Sequence, residues 1–292
     1  LALVIGNANY DKGPLKNPVN DALLISETLE SLDFEVILDT NLAKRVDFLE
    51  KIKEFGEKRP NYDVAFVYYA GHGIQVNNEN YLLPTKEVYK SEYDVQDYGV
   101  SVQRIIRYLT SMTNQVNVLI LDACRDNPFE STFESTRSLK GSGLAKMQAP
   151  SGSMIAFSTT AGNTAPDGQG ENSVYCQILA KYMLVKGLSL DQVFRNVRSE
   201  VLKLTNGKQM TEESTQLTGE TYYLVEGENV DLAKKLMTLE GEELTNYLES
   251  YLKSKNIIVD KNQVSSEDSL SYKDYFAIGY KFLTEEEYDL AI

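Results

Sequence analysis

Short apolar runs alternate along the chain with stretches whose apolar residues recur three and four positions apart. Leu1–Ile5 reads as a strand buried on both faces. Asn17-Pro18 opens a helix with proline at its first position. Ala22, Ile25, Leu29 and Leu32 continue it at helical spacing. Phe34–Leu38 is a second strand, and Phe48, Ile52 and Phe55 mark a second helix. Val64–Tyr69, apolar throughout, is a third strand. Val102, Ile105, Ile106 and Leu109 mark a third helix. Val116–Leu121 and Met154–Phe157 are the fourth and fifth strands. Val174–Met183 reads as helix. Ser189 with Gln192 resembles a capping box, ahead of Leu190, Val193, Val197 and Val201. Thr221–Val225 is expected to be the last strand.

Strands alternating with helices predict an α/β fold, a mostly parallel sheet covered by helices on both faces. Such sheets bind ligands beyond the carboxyl ends of their strands, so the residues just after each strand are the place to look. Residues 126–152 lack periodicity and are rich in Ser, Thr, Gly, Pro and basic residues; they read as a long loop. Beyond a boundary near residue 227 the pattern is helical and acidic. The expected division is therefore 1–226 and 227–292.

Composition narrows the function. The formal charge of −14 disfavours nucleic acid and anionic membranes as partners. No apolar run approaches the ~20 residues of a membrane helix. Hydrophobic residues at 42% and charged residues at 25% describe an ordinary folded chain. Two cysteines far apart, Cys124 and Cys176, make neither a disulfide framework nor a four-cysteine zinc site. A reduced, cytoplasmic setting is expected. The chain opens on Leu1 rather than Met, with no signal peptide visible, and reads as a piece of a longer protein.

The third strand runs into Tyr69-Ala70-Gly71-His72-Gly73, which holds the only histidine. The fourth runs into Asp122-Ala123-Cys124-Arg125-Asp126. Taken singly, a lone histidine is more often structural, and a lone cysteine is more often a small buried hydrophobe. Together, if the two strands are neighbours and so share a rim, they suit nucleophilic catalysis, with the imidazole holding or taking the thiol proton. The glycines beside His72 let the backbone bend and leave an N–H for a developing oxyanion. Cys176 lies within a helical pattern and reads as core packing. The Gly-Asn-Ala-Asn after the first strand lacks a phosphate-binding fingerprint, which argues against a nucleotide site.

These two segments resemble the signature segments of the caspase-like cysteine peptidases, the C14 type of clan CD. The opening Leu1–Tyr10 and Leu15-Lys-Asn-Pro-Val-Asn-Asp21 resemble that clan's first strand and loop. The likeness covers roughly residues 1–225 and is nearest to bacterial caspase-like peptidases, paracaspases and metacaspases. It implies a six-stranded, mostly parallel sheet. It also implies a Cys–His dyad: Cys124 attacks the scissile carbonyl, and His72 protonates the leaving amine and then activates water. The N–H groups of Gly73 and Cys124 would form the oxyanion hole. No third member of a triad is identifiable from the sequence. Asp21 and Asp122 match the acidic pocket of paracaspases. Thr164 stands where a third acid is expected, and nearby Asp167 is the substitute. Paired carboxylates suit a guanidinium, so cleavage after Arg, with Lys weaker, is expected in a protein substrate.

The same likeness implies self-cleavage in the loop after Cys124, at Arg137, Lys140 or Lys146. No metal site or cofactor is expected. Calcium activation stays open, without an Asp-x-Asp-x-Asp-Gly loop to support it. Residues from Tyr275 to Ile292 resemble the start of a tetratricopeptide repeat, which would bind a regulatory protein. The alternative to an enzyme is a catalytically silent scaffold of the same fold, used for protein binding.

Overall fold

The computed structural model describes residues 1–110, 116–124, 144–160, 170–227 and scattered positions between 235 and 250; of Cys124 it describes the backbone. The chain divides into two compact units, Leu1–Val225 and Glu226–Ile292. The strands of the first unit are β1 (Ala2–Gly6), β2 (Val36–Thr40), β3 (Val64–Val76), β4 (Glu79–Leu82), β5 (Val100–Ser101), β6 (Val116–Cys124), β7 (Ser153–Phe157) and β8 (Glu212–Thr215). Its helices are α1 (Pro18–Ser31), α2 (Arg45–Lys58), α3 (Glu92–Tyr98), α4 (Val102–Leu109), α5 (Val174–Met183) and α6 (Leu190–Leu204).

The main path of the sheet runs β2-β1-β3-β6-β7-β8. Its first five strands are parallel, and β8 closes one edge antiparallel to β7. The expected mostly parallel sheet with helices on both faces is therefore present; six strands lie on its main path, and β4 and β5 add two more beside β3. The sixth strand differs from expectation. Thr221–Val225 makes a single bridge, Tyr223 to Ser189, against the turn before α6. The edge is instead Glu212-Glu-Ser-Thr215. An edge strand pairs on one side only and tolerates polar residues, so it carries no apolar run to betray it.

Strand alternation sorts the core into two layers. Leu3, Ile5, Val67, Tyr69, Leu119, Leu121 and Phe157 pack with Phe48, Ile52 and Phe55 of α2 and Ile105 and Leu109 of α4. Val4, Phe66, Tyr68, Ala70, Val118 and Ile120 pack against α1, α5 and α6. Each large apolar side chain so buried contributes roughly 1.5–3 kcal/mol. The capping box of α6 forms as read: Ser189 Oγ accepts the Gln192 N–H at 3.3 Å, and Gln192 Oε1 accepts the Ser189 N–H at 2.7 Å.

Two strands run further than their apolar segments. Beyond Ala70, β3 continues through His72 to Val76, because β4 takes over antiparallel pairing on the side that β1 vacates. Likewise β6 continues through Asp122 to Cys124. Where it is described, the long loop has no regular structure, as read, but it is not solvated throughout. Leu144, Met147 and Ala149 are buried in the α2/α4 layer, so residues 144–150 form a packed strap. Irregular spacing hid them from a periodicity argument.

Candidate active site

The order of the sheet reverses between β1 and β3, which places a crevice at their carboxyl ends. His72 and Cys124 occupy the same rung of the β3–β6 ladder, its last. Asp122 lies two residues before Cys124, opposite Ala70. Asp21 comes from the first turn of α1. His72, Asp21 and Asp122 are all buried.

The imidazole is oriented from the loop after β1. His72 Nε2 lies 2.6 Å from the Gly13 carbonyl. A carbonyl only accepts, so Nε2 carries a proton and, in the neutral ring, Nδ1 holds the basic lone pair. The Tyr10 ring packs on the imidazole, with centroids 4.3 Å apart. The His72 peptide is held on both sides by phenols. Its N–H donates to Tyr10 Oη at 2.9 Å, and its carbonyl accepts from Tyr69 Oη at 2.8 Å.

The glycines act here through space. A Cβ on Gly71 would sit 2.6 Å from Tyr69 Oη and 2.7 Å from Tyr10 Oη. A Cβ on Gly73 would sit 2.7 Å from the Leu144 side chain and 3.2 Å from the Ala123 Cβ. Backbone direction also matters at Gly73. The His72 carbonyl accepts from the Leu83 N–H, so alternation turns the next peptide N–H, that of Gly73, away from β4 and toward β6.

The two acids meet at the start of α5. Asp21 Oδ1 accepts from the Ser173 N–H at 2.9 Å and from Asn172 Nδ2 at 3.0 Å. Asp122 Oδ2 accepts from Tyr68 Oη at 3.0 Å and from Ser173 Oγ at 3.2 Å. Ser173 Oγ also caps the helix, accepting the Cys176 N–H. Lys16 Nζ and Asn20 Nδ2 grip the carbonyls of Gly170 and Glu171, which ties this segment to the α1 end. Burial, and then the charge of Asp21, pushes the Asp122 carboxyl up to about 7. Burial raises Asp21 as well, against the pull of its hydrogen bonds. The same surroundings push the Cys176 thiol far up, and it lies buried with its Sγ 3.5 Å from the Asp21 carbonyl. Cys176 is core, as its helical pattern implies.

Of the candidate processing positions Arg137, Lys140 and Lys146, only the last lies among the described residues. Lys146 pairs with Glu212 at 2.6 Å. Its neighbour Ala145 is clamped by Asn80, which accepts its N–H at 2.7 Å and donates to its carbonyl at 2.8 Å. Arg137, Lys140, Asp167 and the repeat-like stretch from 275 to 292 lie outside the described residues. Among the described residues, no cluster of His, Cys, Asp or Glu could hold a metal ion. Nor is any helix among them long and apolar enough to cross a membrane.

Sequence reasoning missed the Gly13 carbonyl, Tyr10, Tyr68, Asn172 and Ser173. A backbone acceptor has no residue signature. The serine alone left a signal: Ser before Val174–Met183 is a standard helix cap.

A family model for the caspase domain matches residues 1–222. No curated protein matches the chain. Since the family match runs from the first strand past the last of the sheet and spans well over half of the sequence, the chain belongs to the caspase domain family.

Proposed function

We propose that the chain is a cysteine endopeptidase that cleaves proteins after basic residues, arginine ahead of lysine. One observation carries this reading: the rung shared by His72 and Cys124 lies directly beyond a buried pair of carboxylates, Asp21 and Asp122, joined through Ser173. In this reading His72 Nδ1 takes the thiol proton, and the thiolate adds to the scissile carbonyl. The tetrahedral oxyanion collapses to a thioester as the proton passes to the leaving amine. Water, deprotonated by the same nitrogen, then releases the acid and regenerates the thiol. The Gly73 N–H, aimed at β6, and the Cys124 N–H would stabilise the oxyanion once the last rung opens to substrate. The substrate's basic side chain would enter between the two acids.

Residues 1–226 are the peptidase in this proposal, with Asp167 as a third pocket acid. Residues 227–292, with their helical sequence pattern and the repeat-like stretch from 275 to 292, would serve to bind a regulatory protein partner. The setting is a reducing compartment such as the cytoplasm.

The test is hydrolysis of matched fluorogenic peptides ending in Arg, Lys or Asp, beside Cys124→Ala. Turnover after Arg that vanishes in the variant is the expected result. Turnover after Asp would overturn the pocket assignment. No turnover with any peptide, with or without calcium, would favour a binding scaffold over an enzyme.

A further inference from the structure

We propose that Tyr68 and Asn172 are positioning residues that set the preference of the acid pair for arginine over lysine. The inference rests on the basic pocket proposed above.

Each carboxylate takes two donors on one oxygen, and the Ser158 side chain lies beside Asp122 as well. On Asp122 Oδ2 the donors are the Tyr68 hydroxyl and the Ser173 hydroxyl. On Asp21 Oδ1 they are the Asn172 amide and the Ser173 N–H. Tyr68 projects from β3, fully buried in the layer beneath α5. Burial and the nearby Asp122 hold its phenol protonated, so it remains a donor. Asn172 is held in turn, its own carbonyl accepting from Gln177 Nε2 at 3.0 Å. A carboxylate accepts only, so the Asn172 amide nitrogen must face Asp21.

Two donors arriving on one oxygen fix the torsion of a carboxylate and so the plane in which its other oxygen lies. A guanidinium is planar and presents its N–H groups in a rigid fork, so it needs both planes set in advance. An ammonium is a compact charge with three rotatable donors and responds mainly to the charge present. Loosening either carboxylate therefore penalises an arginine ligand more than a lysine ligand. Neither substitution removes a charged residue, but each takes away a hydrogen bond that favours the ionised acid, a loss that weakens both ligands, while the loss of a fixed plane falls on arginine alone.

The experiment compares KM and kcat for otherwise identical peptides ending in Arg or Lys, using the full chain and its Tyr68→Phe and Asn172→Ala variants. Asn172 is only half buried, so its variant stands in should Tyr68→Phe fail to fold. In either variant, KM for the Arg peptide is expected to rise about tenfold with kcat retained, the scale of one hydrogen bond to a charged group. KM for the Lys peptide is expected to rise by a smaller factor, so the Arg/Lys ratio falls. Equal losses for both peptides, or an unchanged ratio with a lowered melting temperature, would mark the two residues as structural and overturn the inference alone. Wild-type protein that does not cleave after Arg would overturn the pocket itself, and this inference with it.

Discussion

Asp21 and Asp122 share one hydrogen-bonding neighbour. Ser173 gives its backbone N–H to the first at 2.9 Å and its hydroxyl to the second at 3.2 Å. Two buried acids brought to one residue oppose each other's ionisation.

Stability should depend on pH through Asp122. Its carboxyl titrates near 7 in the folded chain, against an ordinary value of 3.8. Between those values the folded state holds a proton that the unfolded state has lost. Asp122 therefore lowers stability progressively as pH rises from about 4 to 7, and its effect levels off above that. Asp122→Asn removes the charge. Melting curves at pH 4.5, 6 and 7.5 should show the variant gaining on wild type as pH rises. A gap that does not change with pH would refute the raised carboxyl.

Substrate binding should follow the same titration in the opposite sense. A cationic side chain needs the ionised acid, so affinity for an Arg peptide improves as pH rises through 7. KM is expected to be about tenfold higher at pH 6 than at pH 8, the change in ionised fraction for one such group. A KM that is flat with pH for the Arg peptide would exclude Asp122 from the pocket.

Gly71→Ala should harm catalysis at a distance from the reacting atoms. The added carbon would reach the hydroxyls of Tyr69 and Tyr10, which hold the two sides of the His72 peptide. Both rings are buried and have no room to retreat. Overpacking of this kind costs about 1–3 kcal/mol in stability. The expected kinetic result is a fall in kcat of about tenfold or more, with KM for the Arg peptide nearly unchanged, because a tilted imidazole loses its reaction geometry. Full kcat in the alanine variant would show that the two phenols do not position His72.

The two cysteines should differ in reactivity. Burial and the acid pair hold the Cys176 thiol protonated, and a thiol in that state is inert. Iodoacetamide should label native protein once, at Cys124, and should leave native Cys124→Ala unlabelled until it is unfolded. Mass spectrometry that finds Cys176 modified in the native chain would contradict the burial. The same instrument reads processing. Self-cleavage is expected at Arg137 or Lys140 and not after Lys146, whose neighbour Ala145 is clamped by Asn80. A fragment beginning at Met147 would refute that.

Much of this architecture was legible along the chain. Val64–Tyr69 and Val116–Leu121 are continuous apolar runs because central strands of a parallel sheet are buried on both faces. Phe48, Ile52 and Phe55 face the core at helical spacing. Ser189 and Gln192 announce α6 with groups that satisfy its first amides. The edge strand β8 and the short β4 and β5 were not legible, since their pairing is decided by neighbours distant in sequence.

His72 and Cys124 stood out as a pair because both motifs follow core strands, a local property. That they share a rung is a matter of register between β3 and β6. The acids needed more. Nothing near Asp21 announces that Ser173 and Asn172 will reach it from across the chain, or that the Gly13 carbonyl will choose the tautomer of His72.

The sequence by itself determined which segments are strand and helix in the core and which residues are candidates for chemistry, because burial periodicity, caps and nucleophile types are written locally. Only the tertiary structure decided how far β3 and β6 extend, which donors hold each carboxylate and how strongly the acids resist ionisation. Those depend on hydrogen-bond partners and on exclusion from water, and both are set by the packing of elements far apart in the chain.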